Sequence, residues 1–468
     1  MAGLTAGCAV RRYQAIPIVP GESASRLEAR SFADAGLQAY VEKNLDYDSG
    51  RKLSHTPWPP KTWDLRMLSL AALYFNPAIE TARARLAEAE AATVTAGARP
   101  NPTVSIAPGI PSPYLFNLDL ALPIETAGKR GHRIQSARSL DQAAQLDLAD
   151  SAWRVRSGVR VALLNCLLAS QNLISLHSEE DLRREQVTLL EHRLAAGEIA
   201  RPEVVPARIE LSKIHLAVAT AEGRVSESKA SLAASIAIPV AALEGIDFAW
   251  TDFDSPPSSE SLSPKAIQRD AVVNRLDVRR ALAQYAAAEA NLQLEISKQY
   301  PDLQIGPGYT YEERNSFFTI GLSATLPVFN RNQGPIAEAE ARRKQAAAAL
   351  LEKQTQVIAE SERSLARYVA ALNELAEADH SLQTLQDAQL QTMQRAVQLG
   401  EEDRLVLTGV QVENAVLARM RLDALARAQS ALGELEDAVQ RPLDERLQPA
   451  AKRYPSGEVS ADPKELQR

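Results

Sequence analysis

The chain has 468 residues, is 24% charged and 5% aromatic, and carries a formal net charge of −7. That balance suits long, closely packed helices and supplies no basic stripe for nucleic acid. Two cysteines, Cys8 and Cys166, exclude a disulfide framework, and no window reads as a helix apolar enough to cross a membrane, which leaves any membrane passage to strands.

In chain order, residues 1–62 form an N-terminal segment rich in Pro and polar residues and weakly patterned. Within it, Leu4-Thr5-Ala6-Gly7-Cys8 is similar to a lipobox, although Leu4 stands four rather than three places before the cysteine. The charged and apolar parts of a signal peptide do not precede it. Cys8 is a candidate lipid anchor; the plain alternative is an ordinary cysteine.

The remainder is written twice. Gly131, Gly197 and Pro239 return as Gly334, Gly400 and Pro442, each displaced by 203 positions, and Ala82, Pro102 and Gly109 return as Ala281, Pro301 and Gly308, displaced by 199. A register-true duplication means one structural unit used twice. Repeat one runs over 63–240, a linker over 241–264 that is Ser/Pro/Asp-rich from Thr251 to Pro264, repeat two over 265–442, and a charged tail over 443–468. Each repeat reads as helix, strand, turn, strand, long helix, tight turn, helix.

The strands, about 102–124 and 301–328, rest on alternation. Phe116, Leu118, Leu120 and Leu122 interleave with Asn117, Asp119 and Ala121, and Phe318, Ile320, Leu322, Ala324 and Leu326 interleave with Thr319, Gly321, Ser323 and Thr325. That period of two gives one apolar face and one polar or small face. Thr103 to Ile106 and Leu303 to Tyr311 are the partner strands, joined through Pro111-Ser112-Pro113 and Glu312-Glu313-Arg314-Asn315. Between Gly131 and Gly197, and between Gly334 and Gly400, nothing forces a helix to stop, so each long helix extends on the order of 100 Å at ~1.5 Å per residue. Leu365, Tyr368, Leu372, Leu375 and Leu382 fall on heptad a and d positions, with Asp379 as a lapse. Four strands with an apolar outer face cannot stand open in lipid, where every backbone donor and acceptor must be paired. If they are embedded, other copies must complete the wall.

The helical turns are the best-defined sites. Gly197-Glu198-Ile199-Ala200-Arg201, at about 197–202, and Gly400-Glu401-Glu402-Asp403-Arg404, at about 400–405, share a Gly-Glu-x-x-Arg pattern. Glycine ends helices well because it takes left-handed angles cheaply, which by itself explains both glycines. Glu401, Glu402 and Asp403 read either as acids at a positive helix start or as carboxylates at a pore mouth.

Five segments, Asn76-Pro77-Ala78-Ile79, Ala98-Arg99-Pro100-Asn101-Pro102, Leu122-Pro123-Ile124, Gly128-Lys129-Arg130-Gly131 and Leu326-Pro327-Val328-Phe329, stand in this order. With the duplication they make the chain, from Trp63 to Pro442, resemble the TolC family of outer-membrane efflux ducts. The resemblance implies a mainly α protein with a small β portion: a homotrimer with a 12-stranded outer-membrane β-barrel that continues into a periplasmic α-helical barrel. Residues 1–62 would add equatorial contacts. The partners implied are outer-membrane lipid, a periplasmic adaptor and an inner-membrane pump, with no cofactor and no catalysis. The Gly-Lys-Arg-Gly stretch is similar to ducts paired with heavy-metal pumps of the resistance-nodulation-division class, which implies metal cations as cargo, with drugs as the alternative. Gly197, Glu198, Arg201, Glu203, Gly400, Glu401, Glu402, Asp403 and Arg404 would then form the periplasmic mouth and the adaptor's docking surface.

One departure concerns the gate. Some family members close the mouth with aspartates six and nine residues beyond the second glycine; here those positions hold Val406 and Gly409, and in the first repeat the sixth position is Glu203. The histidines have no metal-ligand spacing, His132 reads as a solvated surface residue, Cys166 reads as packing, and no catalytic constellation is present. A soluble coiled-coil scaffold, or the adaptor itself, explains the helices but leaves the symmetric strand pairs without a use.

Overall fold

The computed structural model describes residues 12–49, 57–109, 115–251 and 253–443. Cys8, the Pro111-Ser112-Pro113 turn and the tail beyond Leu443 lie outside the described residues.

The N-terminal segment has more structure than its weak patterning suggests. α1 (Pro20–Glu28) is exposed throughout, but α2 (Ala35–Ser49) is fixed by Asp34, whose carboxylate accepts the Leu37 N–H at 2.7 Å. Phe32, Leu37 and Val41 are buried, and the Phe32 ring lies 4.1 Å from that of Trp63. β1 (Thr62–Trp63) leads into α3 (Leu65–Phe75), which Asp64 caps through the Met67 N–H. Asn76 and Pro77 then stop one helix and start the next, α4 (Pro77–Ala96), since a first-turn proline loses no hydrogen bond.

β2 (Thr103–Pro108) and β3 (Leu115–Ile124) follow, then α5 (Lys129–Ala195, 67 residues) and α6 (Arg201–Ile236). The 241–264 stretch is not a bare linker. It forms β4 (Asp247–Phe248), parallel to β1, ahead of the Ser/Pro/Asp-rich part, and buries Phe253 within that part. Repeat two then gives α7 (Pro264–Asn274), α8 (Leu276–Ser297), β5 (Leu303–Glu312), β6 (Asn315–Ala324), α9 (Gln333–Leu399, 67 residues) and α10 (Arg404–Val439).

The four strands form one antiparallel sheet in the order β2-β3-β5-β6, so the two repeats meet at β3 and β5. Ile106, Leu118, Tyr309 and Phe318 stand opposite one another across all four strands, as do Leu122, Ile305 and Leu322 across three. The other face carries Ser105, Asp119, Gly308 and Thr319 in register. Opposed residues share a face in an antiparallel ladder, so one side is apolar and the other polar or small. Ile320 and Phe318 are 85% and 84% exposed. β2 and β6 are the sheet's edges, and no described strand pairs with their outer sides.

Two apolar belts hold the helices. The first joins Trp63, α3, Val159–Leu167 of α5, Leu232 and Ile236 of α6, and Phe253; the second joins α7, Val357–Leu375 of α9 and Leu425–Val439 of α10. Leu232 and Ile236 correspond to Leu435 and Val439 at the same displacement of 203, and all four are buried. One expectation is corrected: α5 does carry an 18-residue window apolar enough to cross a membrane. Its run Val159, Leu163, Leu164, Cys166 and Leu167 is spent on the first belt instead.

Candidate functional site

Both turns at the far ends of the long helices are built from local capping. Gly197 and Gly400 each sit at φ +76°. Past them the chain folds back, the Glu198 N–H donating to the Arg193 carbonyl and the Glu401 N–H to the Ala396 carbonyl, each at 2.9 Å. A side chain at φ near +70° costs on the order of 1 kcal/mol, which is why glycine stands at both positions. The next helix is started differently in each. At the first tip the Ala200 N–H donates to Glu203 Oε1 at 2.8 Å; at the second, Asp403 is the N-cap and accepts the Leu405 N–H at 2.9 Å. Glu203 is therefore engaged in closing the first turn of α6. Glu198, Arg201, Glu401 and Glu402 are exposed, and Val406 occupies the sixth position after Gly400 half-exposed.

What the turn pattern did not reveal is that the two tips are tied together. Asp403 pairs with Arg193 of α5, and Arg404 Nη2 lies 2.6 Å from Glu185. These begin a polar seam between α5 and α10 that runs back in antiparallel register. Arg419 lies 2.6 Å from Glu179, which also pairs with Arg183. Arg160 donates to the Gln429 carbonyl at 3.0 Å and to its side chain at 3.1 Å, and lies 3.5 Å from Glu436. Asp437 accepts from Trp153 at 2.8 Å and from Ser157 at 2.7 Å, and Gln440 donates to Asp150 at 2.7 Å. Burial pushes the Arg160 guanidinium down, and Glu436 opposes that shift. Gly433 admits this side chain: a Cβ there would sit 2.3 Å from Arg160 Nη1.

The ties weaken in burial from one end to the other. Arg160 and Glu436 are buried, Glu179 is buried with Arg419 partly so, Asp403 is partly exposed and Arg404 is largely solvated. No sequence signal could have paired Arg193 with Asp403, because their meeting depends on the register of two helices from different repeats.

At the sheet end, Gly128-Lys129-Arg130-Gly131 turns out to be a wiring motif. Lys129 is buried and donates to the Tyr300 carbonyl and to Asp302, both at 2.7 Å. Arg130 Nε donates to the Gly97 carbonyl at 2.7 Å, and Arg133 pairs with Glu125 while donating to Ala96 and Ala98. Basic groups so placed satisfy the last carbonyls of α4. His132 lies beside Gly128. Among the described residues no group of three His, Cys, Asp or Glu is placed to hold a metal ion.

Residues 68–237 match a family model described as outer membrane efflux protein. The cobalt-zinc-cadmium resistance protein CzcC of Cupriavidus metallidurans is 26% identical over 287 residues, covering 60% of this chain and 66% of its own. The pyoverdine export outer membrane protein OpmQ of Pseudomonas aeruginosa is 23% identical over 227 residues, 47% of each. The chain thus spans just under two thirds of the first relative and about half of the second. Among solved structures, the outer membrane protein VceC from Vibrio cholerae superposes with a TM-score of 0.64 at 20% identity, over 80% of this chain and 95% of that one.

Proposed function

The chain carries an outer membrane efflux protein domain and has the fold of the TolC-family channels, and from that premise we propose that it is the passive outer-membrane duct of a tripartite efflux system. The observation that carries this reading is the open four-stranded sheet. It has an apolar face and two edges that no described strand pairs, and it is spliced between helices of 67 residues. In hydrocarbon such edges must be paired. Three copies, joined edge to edge, give twelve strands and a closed wall, and the long helices carry the bore on into the periplasm.

The tips then face the inner membrane. Gly197, Glu198, Arg201 and Glu203 of the first, and Gly400, Glu401, Glu402, Asp403 and Arg404 of the second, form the docking rim for a periplasmic adaptor, which delivers cargo from an inner-membrane pump of the resistance-nodulation-division class. No step requires catalysis, since the pump supplies the work. The likeness to CzcC favours metal cations such as cobalt, zinc and cadmium as cargo, and the likeness to OpmQ makes pyoverdine the competing cargo. Cys8, outside the described residues, would anchor the chain to lipid, with palmitate labelling abolished in Cys8→Ser.

The decisive measurement is the state of the full chain extracted from membranes. A trimer that resists mild SDS and sediments with outer-membrane markers is expected; a soluble single subunit overturns the duct. A deletion strain tested for sensitivity to zinc, cobalt and cadmium, and for export of pyoverdine, assigns the cargo.

A further inference from the structure

The strand register sets Ile124, Leu303 and Ala324 side by side. The segments leading off them, and the approach to β2, therefore lie at one end of the sheet, the end that meets the helices. That end is rich in cations. Lys129 is matched by Asp302, Arg133 by Glu125 and Lys298 by Glu295. Three guanidiniums remain: among the described residues no carboxylate pairs with Arg99, Arg130 or Arg331, and all three are exposed. Arg130 makes its one hydrogen bond to a backbone carbonyl, that of Gly97.

The same level exposes apolar and aromatic surface that no packing within the chain explains. Phe329 is fully exposed, Leu326 is 69% exposed and Tyr300 is 61% exposed. Leu326 stands two residues beyond the end of β6, the strand that carries Ile320 and Leu322. Aromatic rings and basic side chains side by side at the rim of an apolar band are the composition of a membrane–water boundary, where rings sit at headgroup depth and cations meet phosphate.

Resting on the barrel reading, we infer that this rim is a binding site for the headgroups of anionic phospholipids in the periplasmic leaflet. Its phosphate ligands are Arg99, Arg130 and Arg331, and its interfacial wedge is Leu326 to Phe329 with Tyr300. The distribution favours lipid over a contact between copies. Arg99 precedes one sheet edge, Arg331 follows the other, and Arg130 comes off the middle strands. Each copy thus places positive charge along its whole share of the circumference, not only at the two seams. Of the carboxylates at this level, Asp302, Glu125 and Glu295 are already taken by Lys129, Arg133 and Lys298.

A tryptophan reporter tests this in the full-length protein. The four native tryptophans lie in the apolar belts and the α5–α10 seam, so Phe329→Trp adds a signal at the rim that is read against the unsubstituted protein. The chain is reconstituted in phosphatidylcholine vesicles containing phosphatidylglycerol, with the bromine label on one lipid or the other. Brominated phosphatidylglycerol is expected to quench at several-fold lower mole fraction than brominated phosphatidylcholine. Adding Arg99→Gln and Arg331→Gln should bring the two curves nearly together, since each guanidinium lost removes attraction for the anionic headgroup, while leaving the Arg130 cap intact. Coincident curves in the Phe329→Trp protein overturn the inference, as does a preference that inorganic phosphate abolishes. A reporter that neither lipid quenches, in protein that floats with the vesicles, shows the rim covered by a second copy and also overturns it. Protein that does not float at all removes the barrel reading itself.

Discussion

Arg160 shows how a single buried charge is made tolerable. It enters the space left by Gly433, meets Glu436 and satisfies two acceptors of Gln429, whose amide in turn donates to the Phe253 carbonyl at 2.9 Å. Removing one partner of a buried pair strands the other charge, which typically costs about 3–5 kcal/mol. Arg160→Ala is therefore expected to lower unfolding stability on that scale in a denaturant titration. Arg208→Ala, which breaks a solvated pair with Glu191, should cost less than about 1 kcal/mol. Equal losses would mean that the α5–α10 seam is no more than surface. Arg160 could not be singled out in the sequence, where it sits in an apolar run like any misplaced cation. The tip glycines could, because a left-handed cap leaves a residue-type signature and a tertiary ion pair does not.

Between elements, the duplication solves the same problem with different residues. The break between α3 and α4 is written plainly as Asn76-Pro77, with Asn76 accepting the Ala78 N–H at 3.0 Å and donating to the Ser235 carbonyl at 3.2 Å. Its counterpart between α7 and α8, displaced by 199, is Arg275-Leu276, and nothing in that dipeptide announces a stop. The break is imposed from outside: Arg275 pairs with Asp277 at 2.8 Å and with Glu360 of α9, and the Leu276 N–H donates to Gln440 at 2.6 Å. Burial alone would push the Asp277 carboxyl up, but the Arg275 hydrogen bonds, with Lys353 nearby, hold it below the ordinary carboxylate range. A carboxylate depressed in the folded state adds stability above its unfolded value, about 3.9, and that stability is lost as pH falls through the folded one. Asp277→Asn should accordingly flatten the stability–pH curve below about pH 4 and leave its slope at neutral pH unchanged. Along the seam the gradient of burial makes a second prediction. Raising salt to about 1 M shortens the screening length to about 3 Å, so amide exchange should accelerate at 404–412 of α10, where Arg404 is solvated and Asp403 partly so. It should stay constant at 429–436, beside Arg160. Uniform protection at both salt concentrations would remove the idea that the tips part more easily than the equator.

For the whole molecule, the sequence carried the plan and the sheet, because both are periodic. A displacement of 199 or 203 and an alternation of two survive any uncertainty about contacts. What it hid were the pieces whose order comes from burial elsewhere, such as α2 and the 241–264 segment. α2, through Leu37 and Val41, and the 241–264 segment, through Phe253, take their places in the first belt beside Trp63 and α5. The claim on which the duct depends is that Ile320 faces lipid and Thr319, its neighbour, faces the bore. The two residues differ by one step in a ladder with opposite faces, so the same substitution placed at each separates the environments. An arginine on a lipid face near the midplane costs about 2–4 kcal/mol, and on a lumen face it is solvated. Ile320→Arg is expected to cut the yield of SDS-resistant trimer in outer membranes sharply. Thr319→Arg should assemble normally and shift the ion selectivity of single channels in planar bilayers toward anions, since a ring of cations then lines the pore. If both variants assemble equally well and conduct alike, the sheet does not stand between hydrocarbon and water, and the helices would need another reason for carrying it.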